Sequence, residues 1–159
     1  MIESKSTEKT LMKGHIKIEL FDNEGNLIQI VEKENTFMAT GDAHVADQLD
    51  ATPSEVAMGW MSVGTGSSAF TTASTTLNSE LDRNALAAGY PEQGIAAADN
   101  DVVYKATWIA GDATGAIVEA GIFNSSGAGS MLAASTFAVI NKGELDTLTI
   151  TWTVTVGAS

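Results

Sequence analysis

Thr147-Leu148-Thr149-Ile150-Thr151-Trp152-Thr153-Val154-Thr155-Val156 is the stretch whose reading decides the fold. Leu148, Ile150, Trp152, Val154 and Val156 fall on one side of an extended chain, and Thr147, Thr149, Thr151, Thr153 and Thr155 fall on the other. That strict period of two belongs to a β-strand with one buried face. The threonine face is left for water or a partner, an arrangement typical of antiparallel sheets.

Working outward, Val102–Ala110, Ala116–Phe123 and Met131–Ile140 are further β-runs. They are separated by turn-forming stretches, Gly111-Asp112-Ala113-Thr114-Gly115, Ser125-Ser126-Gly127-Ala128-Gly129 and Asn141-Lys142-Gly143. Near the other end, Ile16, Ile18 and Leu20 alternate with Lys17 and Glu19. After Asp22-Asn23-Glu24-Gly25-Asn26 comes Leu27-Ile28-Gln29-Ile30-Val31, so the two runs read as a hairpin. Asp42–Leu49 predicts one short helix, capped by Thr40 or Asp42, with Val45 and Leu49 on one face and Pro53 beyond its end. Val56–Val63 predicts a strand entering the Gly64-Thr65-Gly66 loop, and Leu77–Leu86 fits a strand or a helical turn. The threonine-rich Thr71–Thr76 offers little to bury and is expected on the surface. Many short strands with scarcely a helix between them predict an all-β fold, a β-sandwich or jelly roll. Residues 15–159 form the expected single domain, preceded by a polar, extended N-terminal arm over residues 1–14.

Composition narrows the function. With 44% hydrophobic and 18% charged residues, the 159-residue chain has the makeup of a folded globule. Eight basic against twenty acidic residues give a net charge of −12, which repels phosphate backbones and anionic headgroups. Neither nucleic acid nor a membrane is an expected partner. No run approaches the roughly 18 apolar residues of a membrane-spanning helix, and the first residues lack the pattern of a signal peptide. The expectation is a soluble protein that is not exported. There is no cysteine, so thiolate metal sites, cysteine nucleophiles and disulfides are excluded.

The residues for catalysis do not assemble into a motif. His15 and His44, the only histidines, have no partner at metal-ligand spacing and are read as a strand-edge and a helix-surface residue. Gly64-Thr65-Gly66 lacks the lysine and glycines of a phosphate loop, and Asp99-Asn100-Asp101 lacks the alternation and glycine of a calcium loop. The expectation is a binding protein without enzymatic activity or cofactors. Trp60, Trp108, Phe123, Phe137 and Trp152 are the candidate core aromatics, with a carbohydrate platform as the alternative use of the tryptophans. Arg83, the sole arginine, is expected to act as a structural anchor through bidentate hydrogen bonds.

Several stretches together resemble structural proteins of tailed bacteriophages: Trp60-Met61-Ser62-Val63-Gly64-Thr65-Gly66, Leu77–Arg83, Tyr104–Trp108, Glu119–Asn124, Met131–Phe137, Ile140–Gly143 and Asp146–Val154. The resemblance covers about residues 57–156 and rests on turn glycines and core residues. It implies a virion structural protein, in the first place a head decoration (cement) protein assembled in the host cytoplasm. Such a protein would sit on the outer face of the phage head as a homotrimer bound to the major capsid protein. The alternative is a tail or tail-fibre component that touches a host surface through Gly64–Thr76 and Gly89–Asp101. The expected protein contacts are Ile2, Lys5, Lys9, Leu11 and Lys13 in the arm, and Phe70 and Tyr90 in the loops.

Overall fold

Met12–Phe21 (β1) and Leu27–Glu34 (β2) pair antiparallel as the expected hairpin. Its turn is built by Asp22, whose Oδ1 accepts the amides of Glu24 and Asn26, and by Gly25 at φ 84°, a left-handed conformation that favours glycine. These hydrogen bonds hold the Asp22 carboxyl below its ordinary pKa, the Asn26 amide contributing most. The computed structural model describes residues 12–95 and 99–157. Two short elements follow the hairpin, Thr36–Phe37 (β3) and the helix Ala39–Gln48 (α1). The remaining strands are Trp60–Gly64 (β4), Glu80–Ala85 (β5), Glu92–Gln93 (β6), Asp101–Trp108 (β7), Gly115–Phe123 (β8), Met131–Lys142 (β9) and Thr147–Val156 (β10).

The strands form two five-stranded antiparallel sheets, ordered β2-β1-β10-β7-β6 and β3-β9-β8-β4-β5. The fold is an all-β sandwich with one short helix. β10 lies inside its sheet, in register with β1 on one side and β7 on the other. Its apolar face, Leu148, Ile150, Trp152 and Val154, is buried with Ile16, Ile18, Ala106 and Trp108 of its neighbours. Val63, Ile117, Ile122, Ala133 and Ile140 meet them from the opposite sheet. Each large side chain buried in this way contributes roughly 1.5–3 kcal/mol. The Trp152 indole N–H donates to Asn35 Oδ1 at 2.7 Å, and Asn35 fits there because Gly14 has no side chain to block it.

A second, smaller core lies on the outer face of the β8 sheet. Leu77, Phe123, Met131, Met38 and Ala134 are buried there, with Trp60 and Phe70 half-buried against them. The 65–79 loop is the cover. Glu119, itself 0% exposed, pins it by accepting the backbone amides of Gly66, Asn78 and Ser79 and the side-chain amide of Asn78, at 2.7 to 3.1 Å. A buried carboxylate is tolerable only when hydrogen-bonded on this scale.

Four expectations need correction. Met12, Lys13 and Gly14, expected in the arm, belong to β1. The α1 N-cap is Met38 and has no side-chain hydrogen bond, because the Thr40 hydroxyl is used on the Met131 carbonyl at 2.9 Å. Leu49 is 84% exposed and does not share a buried face with Val45; His44 does the burying, at 4% exposure. The cause is Gly41, one turn earlier, where any Cβ would collide with the backbone of Leu132, so that face of α1 lies directly on β9. Finally, of Val56–Val63 only the part from Trp60 is strand, and of Leu77–Leu86 only Glu80–Ala85, β5.

Replacing Glu119 by Ala is expected to lower unfolding free energy in urea by about 3 kcal/mol or more, since three backbone amides and the Asn78 side-chain amide lose this acceptor together. The same variant is expected to be nicked by protease between residues 65 and 79, where the wild type resists.

Candidate functional site

At one end the two sheets part, and α1 plugs the opening incompletely. The gap is a groove of about 240 Å³ with a largely apolar lining. Met12, Tyr104, Val154 and Val156 reach it from the first sheet, Leu132 from the second, and His44, Val45 and Leu49 from the helix. Leu49, Val56 and Val156 leave 84, 69 and 42% of their surfaces in water in this part of the chain. Large exposed apolar patches beside concave sites are common places for partners or ligands to bind.

Hydrogen bonds tie the helix side of the groove to neighbouring segments. His44 Nδ1 lies 2.7 Å from Glu55 Oε2, and the same carboxylate accepts the Ser130 hydroxyl at 3.2 Å and the Asn124 amide at 3.4 Å. Three residues further along α1, Asp47 accepts the Ser54 hydroxyl and the amides of Ser54 and Glu55. These bonds, the Ser54 hydroxyl first, hold the Asp47 carboxyl down at about 2. Irregular chain from Leu49 to Gly59 is thereby fastened to α1. On the opposite wall, burial pushes the Tyr104 phenol up to about 12.

Ile2, Lys5, Lys9 and Leu11 lie outside the described residues. Lys13 is exposed on the outer face of β1, opposite Thr155. Phe70 and Tyr90 are each half-buried, Phe70 against the second core and Tyr90 in the turn before β6. The structure therefore does not gather Lys13, Phe70 and Tyr90 into one patch. Among the aromatics, Trp108 and Trp152 are 0% exposed, Phe123 1% and Phe137 7%, whereas Trp60 is only partly buried. Arg83 grips Glu80 with two hydrogen bonds of 3.1 and 2.7 Å, donates to the carbonyls of Ser125 and Ala128, and stacks 3.7 Å above the Phe123 ring.

Sequence reasoning missed the buried ionisable groups. His44, read as a helix-surface residue, is buried, and the signal was Gly41 three positions earlier on the same helical face. Glu119 and Lys142 interrupt apolar strands. Lys142 is 2% exposed and donates to the Ile109 carbonyl at 3.0 Å; burial lowers its pKa, opposed by Asp146, Asp112 and Asp82. Among the described residues no three His, Asp or Glu side chains converge to hold a metal ion, and no helix is long and apolar enough to cross a membrane. Searches against family models, curated proteins and solved structures return no match for this chain.

The groove's tyrosine gives a pH signature. Between pH 10 and about 12 the unfolded chain releases this phenolic proton while the native chain keeps it, so Tyr104 makes stability fall as pH rises. Tyr104→Phe is expected to remove up to about 2–3 kcal/mol of that decline, measured by urea unfolding across this pH range.

Proposed function

We propose that the protein is a structural, non-enzymatic component of a tailed-phage virion, and within that class a decoration protein that binds the outside of the head. The observation that carries this reading is the apolar groove beside α1. It opens where β1 begins at Met12, so the segment 1–11 joins the domain at the groove's rim. The resemblance over residues 57–156 supports the setting. The sandwich supplies a rigid body, and the groove end supplies a face for the major capsid protein. Copies bound only to the assembled shell stabilise it by mass action, about 2.7 kcal/mol per site at a hundredfold excess over Kd. The net charge of −12 keeps the decorated particles apart.

Two measurements test this. Densitometry of purified virions against the major capsid protein is expected to show the chain in hundreds of copies per particle; a few dozen or fewer would place it in the tail instead. Leu49→Glu, at a position already 84% exposed, is expected to fold normally yet weaken binding to purified shells at least tenfold. Removing residues 1–11, which stops short of β1, is expected to do the same, and unchanged affinity in both variants would exclude the groove end as the contact.

A further inference from the structure

The groove beside α1 has a volume of about 240 Å³, below the roughly 300–1,000 Å³ of sites for drug-sized ligands, and is of the scale of inserted side chains. The charge around its mouth is of one sign. The Glu55 carboxylate lies 2.7 Å from Nδ1 of the lining His44, and the Asp47 carboxylate accepts the side-chain amide of the lining Gln48 at 3.2 Å. Asp50 and Glu92 are exposed and directly follow the lining residues Leu49 and Pro91. Even with Glu55 set against His44, three carboxylates remain. The Ser54 hydroxyl and the Glu55 amide hold Asp47 down at about 2, so that charge persists at every ordinary pH. Among the described residues no lysine or arginine lines the groove. Lys13 and Lys105 adjoin the lining residues Met12 and Tyr104, but strand alternation turns both to the outer face of the sheet, opposite Thr155 and Thr151.

We propose that the groove takes a basic segment of a protein partner: a bulky apolar side chain enters it, and lysine or arginine residues on either side meet Asp47, Asp50 and Glu92. Charge complementarity selects this occupant. An acidic segment, or the body of a second copy from a chain of net charge −12, would bring further carboxylates against these three. An uncharged apolar ligand would gain nothing from them. The division of labour is that of ordinary interfaces, in which a desolvated apolar anchor holds the complex and rim charges steer the approach and fix the orientation. On the decoration reading, on which this rests, the segment belongs to the major capsid protein.

The probe is a synthetic peptide with a Leu-Phe-Leu centre and two lysines on each side, titrated calorimetrically into the full chain beside a counterpart flanked by glutamates. The lysine peptide is expected to bind at least tenfold more tightly. Asp50→Asn combined with Glu92→Gln is expected to weaken it about fivefold to tenfold; the asparagine keeps an oxygen for the Thr52 amide, so the turn survives. Glu24→Gln combined with Glu144→Gln removes the same charge at the far end of the sandwich, where Phe21 pairs with Thr147, and is expected to leave binding within twofold. Leu49→Ser, at an exposed position, is expected to cost at least tenfold without a change of charge. No measurable binding of the lysine peptide, equal affinity for the two peptides, equal losses in the two charge-neutralised variants, or full binding by Leu49→Ser would each overturn the proposal. So would tighter peptide binding after removal of residues 1–11, which would make the chain's own N-terminal segment the occupant. The expected peptide pattern in a chain that ignores phage shells would sink the decoration reading and leave the groove's preference standing. Shell binding undiminished by Asp50→Asn with Glu92→Gln would do the reverse.

Discussion

The rest of the structure depends on the burial of one face of β10 against the opposite sheet. Leu148, Ile150, Trp152 and Val154 lie between β1 and β7 and press on β8 and β9, so both sheets are held by residues from this one strand. Because side chains alternate along a strand, a slip of one residue would expose this whole set and bury five threonines. The Trp152–Asn35 hydrogen bond adds a directional check on register, since the indole N–H finds its acceptor in only one alignment. The threonine face follows from the same alternation.

Burial of ionisable side chains is the second organising feature. Glu119, Lys142 and His44 are each removed from water, and each is given polar partners: amides for Glu119, a carbonyl for Lys142, a carboxylate for His44. The partners are distant in sequence, so these groups tie irregular chain to regular chain. Glu119 binds the 65–79 loop to β8, and the Glu55 carboxylate joins α1 to the turn before β9 through Asn124 and Ser130. Removing one partner leaves the other buried and unpaired, at a cost of about 3–5 kcal/mol.

Against a surface with a net charge of −12, the exposed aliphatic residues stand out by position. Leu49, Val56 and Val156 lie around the α1 end of the sandwich and Leu27, Ile28 and Ile30 along β2, while Leu81, Ile95, Ile109, Val139 and Leu145 are scattered elsewhere. An edge strand lacks a neighbour on one side by definition.

By itself the sequence determined the strands of the C-terminal half, the first hairpin and the two-layer β architecture, because those depend on local alternation and turn chemistry. Trp108, Trp152, Phe123 and Phe137 sit in apolar runs and are buried wherever such runs pack. Only the tertiary structure decided that His44 is interior, that Trp60 belongs to a lesser core, and that a loop rich in threonine and serine caps a sheet through its flanking Phe70 and Leu77. It alone assembled the groove, whose walls come from residues as far apart as Met12, Leu49, Tyr104 and Val156. Periodicity reports which side of its own strand a residue faces. It carries no information about what a distant segment will lay on top of it, and that contact sets burial, partners and function.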